Sequence, residues 1–345
     1  MFISKSLSSV ISLKKTLSFG VFFLLLASAS FVMANSNAHE APDSLGNIPA
    51  LADPCLLEYD GTYYLYGTSD KAQEGFKVYM STDLISWSGA VGARNGYALH
   101  KSDAWGDKSF WAPQVFRHKN KFYMAYAANE SIAIAESNSP LGPFTQKVKQ
   151  SLSSPVKQID PFVFIDDDGR KYLYHVRVAN GGNRIFVAEL TKNLKSIKPE
   201  TLRECVSATE EWENAEHAKW SVAEGPSILK HKGLYYLIYS TNHFRSINYA
   251  VGYAVSKSPY GPWEKYSGNP VLSRSDVKQN GTGHGDFVKD SLGNLVYVFH
   301  THFSDTSVAP RRTAVVKAGF SNDPSTGMDK LEIHEKSFYY LNLKE

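Results

Sequence analysis

The chain has 345 residues, 43% hydrophobic, 13% aromatic and 21% charged, with a formal charge of +3. This composition excludes a disordered or fibrous polypeptide, and the 20 Tyr and 19 Phe favour an all-β class whose strands carry the aromatic residues. Two cysteines, Cys55 and Cys205, are too few for a disulfide framework or a cysteine-based zinc site; they read as separate thiols, with one disulfide left open.

At the N-terminus, Lys5, Lys14 and Lys15 precede the apolar run "TLSFGVFFLLLASASFVMA", which closes on the small residues Val32 and Ala34 of a cleavage site. Residues 1–34 therefore read as a secretory signal peptide, since the run is short for a ~30 Å membrane core and is interrupted by Ser and Gly. Its removal takes away three lysines and no acid, which brings the formal charge to zero. The exported chain, periplasmic or extracellular, then has no basic excess for nucleic acid and no membrane segment. Residues 35–46 are expected to be a flexible segment, and 47–345 a single catalytic domain acting as a monomer.

From there a pattern recurs: "EYDGTYYLYGT", "RHKNKFYMAYA", "IDDDGRKYLYH", "KHKGLYYLIYS" and "KDSLGNLVYVFH" each set a polar turn before alternating aromatic and aliphatic residues. Gly61, Asn120, Gly169, Gly233 and Gly293 mark the turns, 59, 49, 64 and 60 residues apart. Period-2 alternation across Asp-Gly or Lys-Gly predicts a hairpin, because glycine and asparagine accept positive φ cheaply. A third strand follows each hairpin, in "FKVYMSTD", "SIAIAESN", "RIFVAEL", "YAVGYAVS" and "TAVVKAGF". Five such units predict a five-bladed β-propeller, whose innermost strands surround a channel. No long segment has the helical period.

Eight or nine residues before the turn markers stand Asp53, Trp111, Asp160, Glu224 and His284, in "ADP", "FWAP", "IDP", "AEGP" and "GHGD". At the starts of inner strands these positions converge on one mouth of the channel. Three of them are acids, and glycoside hydrolysis needs one carboxylic acid to protonate the leaving oxygen and a second carboxylate to activate water or attack. Mutual repulsion raises the pKa of the least solvated acid. Glu224, between small and apolar neighbours, is expected to be that general acid, Asp53 the base, and Asp160 the residue that orients and tunes Glu224. Any one Asp-Pro alone would read as a turn.

Taken together, "ADPCLLEYDGTYYLYGTS", "FWAPQVF", "IDPFVFIDDDG", "AEGPSILKHKGLYYLIYS" and "GHGDF" resemble glycoside hydrolase family 43 over residues 47 to about 320. The resemblance implies an inverting glycosidase with Asp53 as base, Glu224 as acid and Asp160 as pKa modulator, releasing a pentose (α-L-arabinofuranose or β-D-xylose) from a polysaccharide or oligosaccharide side chain. Galactose or galactofuranose is the alternative within the same chemistry. It also implies that His284 contacts a central calcium or sodium ion, directly or through water, although no cofactor is required, and that an arginine after the fifth hairpin binds a sugar hydroxyl. Arg311 and Arg312 compete for that role because only one can point inward; Arg312 is preferred. Trp111 and Phe110 are expected as stacking walls, and Gln114, where many relatives carry an acid, as a substrate contact. Trp105 is a weaker candidate, and Trp212, Glu216, His217 and Trp220 could border the leaving-group side. His300 and His302 share one strand face, where packing or substrate contact outweighs a metal pair. Two other readings are a carbohydrate-binding propeller without catalysis, disfavoured by retention of all three acids, and a retaining sucrose- or fructan-type hydrolase, disfavoured by "LADPCLL".

Overall fold

The computed structural model describes residues 49–324 and 326–344. The predicted signal peptide and the segment after it lie outside the described residues. The described chain is all-β; helix is confined to Arg274–Val277 and two 3-10 turns, Pro199–Thr201 and Glu211–Asn214.

Five units follow one another, each opened by an antiparallel hairpin. The inner strands are Leu51–Tyr59, Trp111–His118, Lys157–Ile165, Ser221–His231 and Gly283–Lys289. Their partners are Thr62–Ser69, Lys121–Ala128, Lys171–Ala179, Leu234–Thr241 and Leu295–Thr301. Third strands add at Tyr79–Ser81, Ser131–Ser137, Gly182–Glu189, Ala250–Ser256 and Arg312–Asn322. The first departs from expectation: "FKVYMSTD" splits, and Gly75–Lys77 leaves to pair with Tyr97–His100. At the first and fourth hairpins, Asp60–Gly61 and Lys232–Gly233 both have positive φ, the twist that a two-residue turn demands.

Apolar residues alternate along these strands, so each sheet has two faces to cover. Five buried clusters do so, each between consecutive units. Tyr66 and Phe76 meet Phe110 and Tyr126; Ala125 and Ile132 meet Val163 and Leu173; Tyr174 and Val187 meet Leu237 and Tyr239; Tyr236 and Val251 meet Phe299 and Val316. The fifth cluster joins Leu56, Leu65 and Trp87 of the first unit to Val298 and Val315 of the last. That contact is reinforced where Asn342–Leu343 pairs in parallel with Ser86–Trp87. Units three and four share a second link, a short parallel pairing of Gly182 and Asn183 with Ser221 and Val222.

Every inner strand carries a register shift at the same place: between Ala52 and Cys55, Trp111 and Gln114, Ile159 and Phe162, Glu224 and Ser227, and Gly283 and Asp286. Its first residue has positive φ in each case: Asp53 (48°), Ala112 (46°), Asp160 (53°), Gly225 (60°) and His284 (44°). In four units the next residue is proline, which has no N–H to give a ladder and tolerates a bulge. Four non-glycine residues held at positive φ cost about 1 kcal/mol or more each, a strain that collects at functional sites.

Cys55 and Cys205 are both free, in the first inner strand and the outer strand Arg203–Val206 of the third unit. Among the described residues no helix is long and apolar enough to cross a membrane.

Candidate active site

The bulges correct the phase of the sequence alignment. The equivalents of Asp53, Asp160 and His284 are Ala112 and Gly225, whereas Trp111 and Glu224 stand one residue earlier, in register with Ala52, Ile159 and Gly283. Two rings result. Ala52, Trp111, Ile159 and Glu224 line a pocket of about 410 Å³ to which Asp53, Asp160 and His284 also belong. The fourth unit has no room for a side chain at the bulge: a Cβ on Gly225 would lie 2.7 Å from Cγ of His284.

Asp53 is 8% exposed and bound on every side. Thr68 donates its hydroxyl to Oδ2 at 2.7 Å, Arg311 donates Nη1–H to Oδ1 at 3.1 Å, and His284 Nδ1 stands 3.4 Å from Oδ1. Burial by itself favours the neutral acid, but the Arg311 charge and the Thr68 hydrogen bond outweigh it. The Asp53 carboxyl is held well below the usual carboxylate range, hence ionised. Its own N–H donates to Nδ1 of His300, fully buried behind it and stacked on Tyr249 at 5.7 Å.

Glu224 has the opposite environment. Burial pushes its carboxyl up to about 7, against the pull of Tyr249, which donates to Oε1 at 3.0 Å, and of Asn183, which donates to Oε2 at 3.1 Å. Asp160, whose Oδ2 accepts the Gly225 N–H at 3.1 Å, is raised by burial and then by the Glu224 and Asp53 charges. Near neutral pH the floor therefore holds a proton on one side and an ionised carboxylate on the other, the division of labour that acid–base hydrolysis requires. His284 and His300 are both pushed down by burial and stay neutral, which leaves Arg311 as the cation beside Asp53.

Several predicted contacts are displaced. Phe110 is not a wall: it is 0% exposed, packed between Phe76 and Tyr126 in the first core cluster, because the residue before Trp111 faces back into the sheet interface. Arg312 also turns away, stacking on Tyr340 at 4.2 Å and donating to Gln279 at 3.0 Å, so Arg311 is the inward arginine. Gln114 does not face the pocket. Its amide donates to the Val163 carbonyl at 3.1 Å and accepts the Val163 N–H at 2.7 Å, pinning the second inner strand to the third. Trp212 packs on Tyr239 and its N–H donates to Glu210, and Trp105 packs on the first cluster. Glu216 accepts a hydrogen bond from Ser246, and His217 is exposed beside Glu211. His302 Nε2 meets the Phe244 carbonyl at 2.8 Å, holding the loop that carries His243, Phe244 and Arg245 against the pocket.

That loop, together with Thr68, Asp70, Asn183 and Tyr249, was not anticipated. These residues lie on second and third strands or their ends, where no repeat offset marks them. Phe244 stacks under the Arg311 guanidinium at 4.7 Å and orients it.

Below the acids lies a further cavity of about 20 Å³ among Asp53, Gln114, Asp160, His284 and Asp286. Calcium takes six to eight oxygen ligands. Here the Gln114 amide is already used, and among the described residues no three or more His, Cys, Asp or Glu side chains are arranged to hold a metal.

A proton-bearing acid and a charged carboxylate facing one sugar-sized pocket on an all-β frame define a glycosidase. The model of glycosyl hydrolases family 43 matches residues 49–326, and the chain belongs to that family. It is similar to a beta-D-galactofuranosidase of Aspergillus niger, 24% identical, with 79% of this chain and 80% of that protein covered. An arabinoxylan arabinofuranohydrolase of Bacillus subtilis is 29% identical, with 61% of this chain covered; the chain spans only 48% of that relative's length. Among solved structures, an endo-1,4-beta-xylanase from Bacteroides thetaiotaomicron is 41% identical with a TM-score of 0.78, covering 88% of this chain and 100% of its own.

Proposed function

We propose that this protein is an inverting glycosidase that releases a pentose, arabinofuranose or xylose, from a polysaccharide or oligosaccharide. The observation that carries the reading is the opposed proton affinity of Asp53 and Glu224 in one pocket. Glu224 gives its proton to the glycosidic oxygen as the bond to the anomeric carbon breaks. Asp53 takes a proton from a water that attacks that carbon from the opposite face, so the product has inverted configuration. Asp160 orients the acid by accepting the N–H of Gly225, the residue next to Glu224 on the same strand. Names among the relatives support pentose chemistry, and the Aspergillus relative favours galactofuranose as the second reading.

The frame we infer is a closed five-bladed propeller. Supporting it, the five apolar clusters link units one to two, two to three, three to four, four to five and five to one. Export is proposed as well, on the signal-peptide pattern of residues 1–34. A calcium or sodium ion in contact with His284, directly or through a water, is part of the same proposal, and the cavity of about 20 Å³ below the acids is where it would lie.

The test is a panel of chromogenic arabinofuranosides, xylosides, galactosides and galactofuranosides, followed by NMR of the first-formed anomer. Asp53→Asn and Glu224→Gln should each lower turnover by several orders of magnitude with the fold intact. Near-normal activity in either, or a retained anomer, would refute the assignment.

A further inference from the structure

Trp220 is one of the few large apolar side chains left open, 45% exposed. Exposure of an indole is ordinary at a surface, but this one is fixed. Its Nε1–H donates to Oδ1 of Asn183 at 3.0 Å. An indole N–H can only donate, so the amide oxygen of Asn183 must face it and the amide nitrogen must face the other way. On that other side lies Oε2 of Glu224, 3.1 Å from Nδ2. The two bonds form one directed chain, from indole to amide to the acid that protonates the leaving oxygen.

The backbone holds the chain in place. The parallel pairing of Gly182 and Asn183 with Ser221 and Val222 sets Asn183 beside the strand that carries Glu224, immediately after Trp220. A cleft of about 30 Å³ runs between Trp220, Glu216, Asn242 and His243, and two neighbours of the indole, His243 across this cleft and the hydrogen-bonded Asn183, also line the main pocket, which sets Trp220 beside it. This wall is stiff. The Asn242 side chain donates to the carbonyls of Trp212 and Asn248 and accepts the Ala215 N–H, and Ser246 bonds Glu216, tying together the two loops that flank the cleft.

We propose that Trp220 is the platform on which the departing sugar ring stacks, with Asn183 coupling that platform to Glu224, so that the enzyme prefers a glycan leaving group over a small one. A flat indole presents a π-face to the C–H face of a pyranose, and its fixed N–H prevents the ring from swinging away when the subsite is empty. Occupancy by the leaving sugar seals the acid side of the pocket, while the ring left on the other side of the bond rests on the floor among Asp53, Asp160 and Trp111. Asn183 is here a positioning residue, acting through Glu224.

The inference rests on the glycosidase reading, and the experiment separates the two. For the sugar that the panel identifies, kcat/KM is measured on an oligosaccharide and on the corresponding glycosyl fluoride, which has no leaving sugar. Wild type, Trp220→Ala and Trp220→Phe are compared. Trp220→Ala should lose about tenfold or more on the oligosaccharide relative to its loss on the fluoride, mainly in KM, and Trp220→Phe should recover most of that ratio because a face remains. In the Asp53→Asn background, where the glycosidic bond survives, calorimetry should show the oligosaccharide Kd weakened by a similar factor on adding Trp220→Ala. Equal losses on both substrates, or no loss on the oligosaccharide, overturn the platform. A wild type inactive on every glycoside sinks the glycosidase reading first, and the platform with it.

Discussion

Replacing Arg311 by Ala removes the cation 3.1 Å from Asp53 Oδ1. With an effective dielectric near 20, two unit charges at that separation attract by about 5 kcal/mol. Thr68 still donates to Asp53 and the neutral His284 still faces it, so roughly half of that should appear as a change in proton affinity, about two pH units. The sign is clear. Losing the cation raises the Asp53 carboxyl, so the base becomes protonated, and activity is lost, at a higher pH than in the wild type. In the wild type kcat/KM should stay flat on the acid side down to the limit of stability, because Asp53 is held below the usual carboxylate range. In Arg311→Ala an acid limb should enter the accessible range, while Arg311→Lys, which keeps a charge, should restore much of the flat profile. Because Arg311 also lowers Glu224 slightly, the basic limb should move up a little in the same variant. A pH–rate profile of kcat/KM decides the matter: a profile that stays flat on the acid side after the substitution, with only a rise in KM, would show that Arg311 serves the substrate alone.

Tyr249→Phe removes a donor that favours ionised Glu224, so the basic limb of kcat/KM, expected near pH 7, should shift upward by about one unit, the equivalent of ~1.4 kcal/mol. Gly225→Ala combines positive φ with a Cβ driven against the His284 ring, and should cost about 1–3 kcal/mol in urea unfolding together with most of the activity. Gly61→Ala, at positive φ in open space, should lose about 1 kcal/mol and leave turnover alone. Phe110→Ala should destabilise by about 3–5 kcal/mol with KM little changed in whatever folds, and Trp111→Ala should do the reverse, which thermal melts beside steady-state kinetics will show.

The sequence carried the broad outline because strand structure is written in a local code. Alternation through "TYYLYGTS" or "LYYLIYST" needs no partner to be recognised, and five copies with turn chemistry between them imply five equivalent units. The three acids were legible for the same reason: each heads an inner strand. The second-strand and loop contributors, Thr68, Asn183, Tyr249 and Phe244, were not, since what qualifies them is the residue across from them and not their place in a repeat.

What the chain alone could not settle was phase. Along a strand of period two, one residue decides which face a side chain takes, and each inner strand breaks that alternation with a bulge at the place where the site is built. So Phe110 and Trp111, Glu224 and Gly225, and Arg311 and Arg312 are neighbours in sequence with opposite fates in space. Sequence determined which residue types gather at the mouth of the inner strands. Only the folded arrangement decided which of two adjacent residues lines the pocket, and gave Asp53 and Glu224 the unlike surroundings that hold one carboxyl low and push the other up.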